Sequence, residues 1–397
     1  MTETAIPQAI PADRPTPLAT LLAQLDAVPE LVAYRGVLTP GELDAPERET
    51  AALVSRAAVH DLGWLRRVAV RGEDRFRWLS GMVTNTVNEL GPTAGAWNLV
   101  LNAQGRIQGD LHVGREGDKL ELTIAADQYD RLLAHLERFI IMDDVELVPL
   151  NEDSALGLAG PLAAVVLARL GLSALEEPLT SVRALWNGSP VRVVRGYSVL
   201  VPHYELWVRA TEISALWQAL VEAGATPVGA ATLEALRIAE GIPAYGIDIA
   251  ERDLPQETSQ MRALSFNKGC YLGQEIVERI HSRGGVHRHL RQLELSGPVP
   301  AAGTELTMGG GAIAGQITSA AELLLSSGSR VFALGMIRGE AELSPQRHGP
   351  VAGDPELRNQ SFTYSSGTAT GTANILAAPP VLNASEQRSE SANQKFK

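Results

Sequence analysis

Between residues 64 and 150 short runs of alternating apolar and polar residues change places with longer runs in which apolar residues recur every three to four positions. The alternation over 64–71 (WLRRVAVR) predicts a strand, and 73–82 predicts a helix. Strands follow over 97–102 and 107–113, either side of a turn at Gln104–Gly105, and again over 120–125. Leu132, Leu133, Leu136, Phe139 and Ile140 fall on one face of a helix over 128–140, and 145–148 closes with a strand. Strands outnumber helices and short turns join several of them. That pattern predicts an antiparallel α+β layer rather than a doubly wound sheet. A similar order returns in 155–159 (strand), 162–170 (helix), 191–194, 198–201 and 205–208 (strands) and 211–223 (a helix capped by Thr211), without a close residue-level repeat. A further helix over 232–240 stops at Gly241. Beyond 281 the chain reads as strands with glycine-rich turns (Gly303, Gly309, Gly310, Gly311, Gly315, Gly328), which favours a small closed β domain.

Composition sets the ends. Pro7, Pro11, Pro15 and Pro17 in a polar setting predict a flexible arm over 1–17. Residues 351–397, rich in Ser, Thr, Asn, Gln and Ala, read as a disordered tail. Between them lie a first α+β domain over 18–150, a second over 151–240, a connecting segment over 241–280 and a β-barrel over 281–350. The chain is 45% apolar and 20% charged, so it can bury a full core. With 34 Lys and Arg against 46 Asp and Glu its net charge is −12, which argues against non-specific nucleic-acid binding as its main role. The single cysteine, Cys270, excludes an intramolecular disulfide and a Cys-rich zinc site, and cannot by itself hold an iron–sulfur cluster. The most apolar stretch, 155–168, is too short to span a bilayer and is broken by Gly157, Gly160 and Pro161. The N-terminus has no signal-peptide pattern, so a reduced, cytoplasmic protein is expected.

Four segments carry candidate chemistry. In 267–275 (NKGCYLGQE), Gly269 and Gly273 bracket the thiol of Cys270 and the phenol of Tyr271, and Lys268 is placed to lower the thiol pKa. Against this stands the ordinary reading of a free cysteine as a small buried residue. The run 279–291 (RIHSRGGVHRHLR) concentrates four Arg and three His in an acidic chain, as an anion site, a partner-docking loop or a solvated linker. Its His281, His287 and His289 lack a carboxylate or Cys at a recognised spacing, so no metal site is expected. In 236–248 a helix delivers Arg237 and a Gly/Pro turn presents Tyr245 and Asp248; read alone this is a helix end with a surface ion pair. Glu205, on the strand around Tyr204–Trp207, can grip a ring edge bearing amino and imino donors, or face solvent.

Together these segments resemble the YgfZ family of folate-binding proteins, relatives of the aminomethyltransferase (T-protein) of the glycine cleavage system. The YgfZ mark K-G-C-[FY]-x-G-Q-E is matched at every fixed position by 268–275, and the wider likeness runs from about 45 to 345. The resemblance implies two ferredoxin-like α+β domains and a C-terminal β-barrel around a central folate channel. It leaves open that the first domain takes back part of 240–280. It implies tetrahydrofolate as cofactor, with Glu205 on the pterin, Arg237, Tyr245, Lys268 and Tyr271 in or near the pocket, and Cys270 as the reactive or cluster-contacting group. The implied function is support of iron–sulfur cluster assembly or repair in client enzymes, with client or assembly proteins as partners. The alternative is a folate-dependent aminomethyl- or methyltransferase with Asp110 as a weaker catalytic candidate. Against that alternative, the T-protein's G-G-x-x-D-D-L reads here as 105–111 with Gly109 in place of the first Asp.

Overall fold

A computed structural model describes residues 14–24, 28–339 and 361–382. The first unit is an antiparallel five-stranded sheet in the order Gly95–Leu101, Ile107–Glu116, Lys119–Ala125, Leu65–Arg71, Glu146–Pro149. The period of two along Ile107–Glu116 buries Ile107, Leu111 and Val113. Leu111 and Val113 pack with Leu132 and Leu136 of the helix Ala126–Glu137. The same period turns Asp110 and His112 to the opposite face.

The second unit is a six-stranded sheet in the order Ser181–Trp186, Ser189–Arg195, His203–Arg209, Asp153–Ala159, Ala58–Asp61, Thr226–Pro227. Its outer face carries Leu156, Leu158, Val193 and Leu206 against Leu216 and Leu220 of the helix Ile213–Glu222 and against Leu18 and Leu22. The third unit is a closed barrel in which Arg288–Ser296 pairs with Gly328–Arg338 on one side and Ala369–Ile375 on the other. Two α+β units, antiparallel except where Thr226–Pro227 pairs parallel with Ala58–Asp61, and a terminal barrel are the architecture the sequence predicted.

One buried guanidinium joins the units. Arg237, near the end of the helix Ala230–Ala239, donates from Nε and Nη2 to the Glu234 carboxylate at 2.9 and 2.6 Å. Its Nη1 reaches Asp248 Oδ2 at 2.7 Å and also bonds the Ile242 carbonyl, and Nη2 reaches Ser319 Oγ at 3.4 Å. Asp248 in turn accepts from Thr318 Oγ1 and Ser319 Oγ, both at 2.6 Å, on the barrel strand Ile313–Leu325. All five N–H groups of Arg237 are thereby matched to acceptors.

The structure corrects several boundaries. The strand Ala58–Asp61, inside the expected first domain, pairs with Asp153–Ala159 and so belongs to the second sheet, while Leu31–Tyr34 and Val37–Pro40 form a two-stranded sheet of their own. Residues 361–375, expected in the disordered tail, supply the last two barrel strands, Ser361–Ser366 and Ala369–Ile375. Phe362, Tyr364, Ala373 and Ile375 are buried there, an alternation that the polar average of the tail conceals. Thr16, placed in the arm, caps the helix Pro17–Leu22 by accepting from the Ala19 N–H. Residues 1–13, 351–360 and 383–397 lie outside the described residues. Residues 198–201 form a bend rather than a strand. A 3₁₀ turn, Ala210–Glu212, replaces the expected Thr211 cap, so the helix begins at Ile213. The connecting segment bonds back to the first unit, through Asp253 O to the Ile107 N–H and through Ser265 N to the Thr84 carbonyl.

Replacing Arg237 by Met leaves the Glu234 and Asp248 carboxylates buried without their cation. This should cost about 3–5 kcal/mol in urea unfolding, and a loss under about 1 kcal/mol would contradict the joining role.

Candidate functional site

The two sheets face each other across a cavity of about 230 Å³, with the helix Ala230–Ala239 and the turn after it as the third wall. Antiparallel register builds the second-sheet wall. His60, Gly157 and Glu205 lie in one row across three strands, and His203 lies two residues before Glu205 on the same face. A Cβ at Gly157 would fall 2.0–2.6 Å from the His60 imidazole, so only glycine lets that ring lie across the strand. His60 stacks on His203 with ring centres 5.3 Å apart.

Glu205 lines the cavity. One of its oxygens accepts from Trp207 Nε1 at 2.8 Å. Burial pushes its carboxyl up, against the pull of that hydrogen bond and of Arg192 and Arg67. Those two arginines are themselves bonded to Glu121. The site therefore holds a half-buried carboxylate with one neutral donor.

Asp110 lines the opposite wall. It is held at both oxygens, by Trp97 Nε1 at 2.8 Å and Gln128 Nε2 at 2.9 Å. Gln128 Oε1 also accepts the Asp110 N–H at 3.0 Å. A Cβ at Gly109 would lie 2.7 Å from that Oε1 and about 3.1 Å from Leu132. Position 109 thus points away from the cavity, and its glycine makes room for the amide that orients Asp110. The first Asp of the motif, Gly109 here, would therefore face Gln128 and Leu132, and the strand's cavity-facing carboxylate is Asp110.

The other sequence candidates separate. Arg237 reaches the cavity wall with its donors already spent. Tyr245 and Tyr271 are buried but are not among the cavity-lining residues. Tyr245 lies under the Arg131 guanidinium, 4.7 Å from its ring centre. The Tyr271 hydroxyl has no partner among the described residues, and burial drives its phenol pKa up. Lys268 donates to the carbonyls of Ser80, Val83 and Asn85 at 2.8, 2.6 and 2.7 Å. It anchors its loop to the end of the helix Arg75–Met82, while burial lowers its pKa to about 8. Its ammonium is committed there rather than to Cys270. Cys270 is exposed, against the ordinary reading of a buried thiol, and does not line the cavity.

In the basic run, Arg279 pairs with Glu275, and Arg288 with Asp253 and Glu257. His281 stacks on Phe266 at 3.9 Å. Among the described residues no three His, Cys, Asp or Glu side chains gather as metal ligands.

Sequence reasoning passed over Trp97, His60, His112, His203, Glu240 and Arg262, all of which line the cavity. His112 and His203 share strand faces with Asp110 and Glu205, a signal that the period of two carries. Arg262 lies in an aperiodic segment with no such signal. Burial pushes Glu240 up to about 7, while Ser198 Oγ and the Leu200 N–H bond its carboxylate.

Desolvation holds His60 and His112 at about 4 and His203 at about 3, below the usual 6.5, so all three are neutral at pH 7. Each binds its proton more readily unfolded, so its contribution to stability is full above about pH 6.5 and is lost as pH falls toward these values. Imidazole NMR titration should leave the three rings unprotonated down to about pH 5, and a midpoint above 6 for any of them would contradict the buried assignment.

Among known proteins, the chain is similar to an aminomethyltransferase of Rubrobacter xylanophilus, 29% identical over 324 residues, covering 80% of this chain and 84% of that protein. It is 27% identical over 302 residues to a putative chloroplastic transferase of Arabidopsis thaliana, covering 75% of this chain and 69% of that one. The crystal structure of glycine cleavage system aminomethyltransferase T from Bartonella henselae superposes with a TM-score of 0.80 at 20% identity, covering 92% of this chain and 97% of that one. A family model described as the GCVT N-terminal domain matches residues 33–268, and with the site walls inside that span the chain belongs to this family, the glycine cleavage T-protein superfamily.

Proposed function

We propose that this chain binds tetrahydrofolate in the central cavity and acts as a YgfZ-type protein that supports assembly or repair of iron–sulfur clusters in client enzymes. The observation that carries the folate part is Glu205, a half-buried carboxylate with a single neutral donor in a cavity walled by Trp64, Trp97 and Tyr197. A pterin fits such a site. Its amino and imino edge offers two N–H donors to one carboxylate, and its flat ring packs on aromatic faces. Tetrahydrofolate supplies one-carbon chemistry when bound. The chain's own part is to accept the ring edge at Glu205, exclude water with the aromatic walls, and keep His60, His112 and His203 neutral beside it. Family members named aminomethyltransferase, including that of Rubrobacter xylanophilus, support a folate ligand.

The YgfZ part rests on the KGCYLGQE run and on the exposure of Cys270. A thiol on the outside can meet a partner protein without disturbing a ligand in the cavity. One thiolate cannot complete a cluster, so the remaining ligands come from the partner. Arg283 and His287, exposed near the end of the helix Gln274–Arg283, are the part of the basic run left to a docking role. A reduced, cytoplasmic setting would keep the thiol available.

A second reading, folate-dependent aminomethyl transfer, is favoured by one observation. Asp110 lines the same cavity as Glu205, oriented by Trp97 and Gln128, and can hold charge beside a bound folate nitrogen.

Calorimetry with tetrahydrofolate should give binding that falls about tenfold or more in Glu205→Gln and is unchanged in Cys270→Ser. The Cys270→Ser protein should fail to restore cluster-enzyme activity in a strain lacking the native protein, and full restoration would remove the thiol from the account. Turnover of an aminomethyl-lipoyl carrier, lost in Asp110→Asn, would move the assignment to the second reading.

A further inference from the structure

Three arginines line the cavity, and they differ in what holds them. Arg35 sits 3.3 Å from the Asp127 carboxylate. Arg237 has spent every donor on Glu234, Asp248, Ser319 and the Ile242 carbonyl. Arg262 has neither arrangement. Its Nε donates to the neutral Gln260 Oε1 at 3.3 Å, and among the described residues no carboxylate lies within ion-pair distance. The guanidinium carbon lies 3.4 Å from the Tyr197 ring centre and 4.5 Å from that of Trp97. The two nearby cavity carboxylates are committed elsewhere, Glu240 to Ser198 and Leu200, Asp110 to Trp97 and Gln128. Burial lowers the Arg262 pKa only to about 10, so it stays charged at neutral pH.

The position of Arg262 is as telling as its pairing. Its backbone is pinned, the carbonyl accepting from Asn85 Nδ2 at 2.8 Å and the next one, of Ala263, from Thr84 Oγ1 at 2.7 Å. With Tyr197, Glu240 and Ile242 it borders both the central cavity and a second hollow of about 350 Å³. That groove runs between the 259–262 turn and the barrel, past Gln260, Gln292 and Leu376. A partly desolvated cation with no ion-pair partner is costly, and one fixed in the wall shared by two hollows is arranged for an anion that reaches across both. Guanidinium geometry suits a carboxylate.

We propose that Arg262 receives the carboxylate end of the ligand held in the cavity, and that the groove beyond it is the exit for an anionic tail. The inference rests on the tetrahydrofolate reading and deepens it. Glu205 selects the donor edge of a pterin ring at one end, and Arg262 selects a glutamyl carboxylate at the other. The site then discriminates ligands by tail charge as well as by ring.

The test pairs a ligand change with a side-chain change. Affinities of the full chain are measured by calorimetry for tetrahydrofolate and for tetrahydrofolate whose two glutamyl carboxylates are converted to amides. The wild type should prefer the acid form about tenfold or more. Arg262→Met should bind both forms alike, at the level of the wild type with the diamide. Arg262→Lys should keep part of the preference, and thermal unfolding of both variants checks folding. Equal wild-type affinity for the two forms would overturn the inference and leave the folate reading intact. So would a loss in Arg262→Met that falls equally on both, which would make Arg262 a wall of the ring pocket only. A wild type that binds neither form would overturn the folate reading and this inference together.

Discussion

The arrangement around the cavity depends on one guanidinium with nothing left to give. Arg237 bonds the carboxylate of its own helix, the Ile242 carbonyl and Asp248 in the following turn, and Ser319 on the barrel. Asp248, wholly buried, passes the link on to Thr318 and Ser319. Charges out of water are tolerated only when every donor and acceptor is matched, so this network fits one arrangement of helix, turn and barrel and penalises others. The cavity keeps its third wall because of it. The same completeness leaves Arg237 no donor for a ligand, whereas Arg262 lines the cavity with no carboxylate at ion-pair distance among the described residues.

The two sheets contribute by a simpler rule. Alternation gives each strand one face for its own helices and one for the centre. Asp110 and His112 arrive on one wall, and His203 and Glu205 on the other. Two glycines let this happen at close quarters. Gly157 admits the His60 ring, and Gly109 admits the Gln128 amide that holds Asp110. The cavity that results sets carboxylates and aromatic faces among neutral imidazoles. Cys270 and its motif stand apart, on a loop anchored by Lys268 through three backbone carbonyls. The cavity and the thiol therefore lie apart on one molecule, and a partner reaching the thiol need not enter the cavity.

The sequence carried the architecture well where periodicity was long. The first unit and the barrel strands up to 338 follow from alternation and glycine turns, and the placement of Glu205 and Asp110 on the cavity follows once strand faces are assigned. It carried less where contacts are distant in the chain. His60 meets Gly157 and Glu205 only through strand pairing across about a hundred residues or more. No local pattern marks Ala58–Asp61 as a strand of the second sheet. The barrel's last hairpin was hidden because four buried residues, Phe362, Tyr364, Ala373 and Ile375, are diluted by polar neighbours. Lys268 and Cys270 are adjacent but for one glycine, yet the lysine turns inward to helix-end carbonyls and the thiol outward. Spacing alone cannot say which way two neighbouring side chains face on an irregular loop.

The central claim is that the cavity between the sheets, and not the cysteine loop, receives the folate. A crystal structure of the tetrahydrofolate complex tests it most directly. The account predicts the pterin edge on the Glu205 carboxylate, the glutamyl end at Arg262, and the Cys270 Sγ facing solvent. A ligand seated against Cys270, with the cavity between Glu205 and Asp110 left to water, would contradict it.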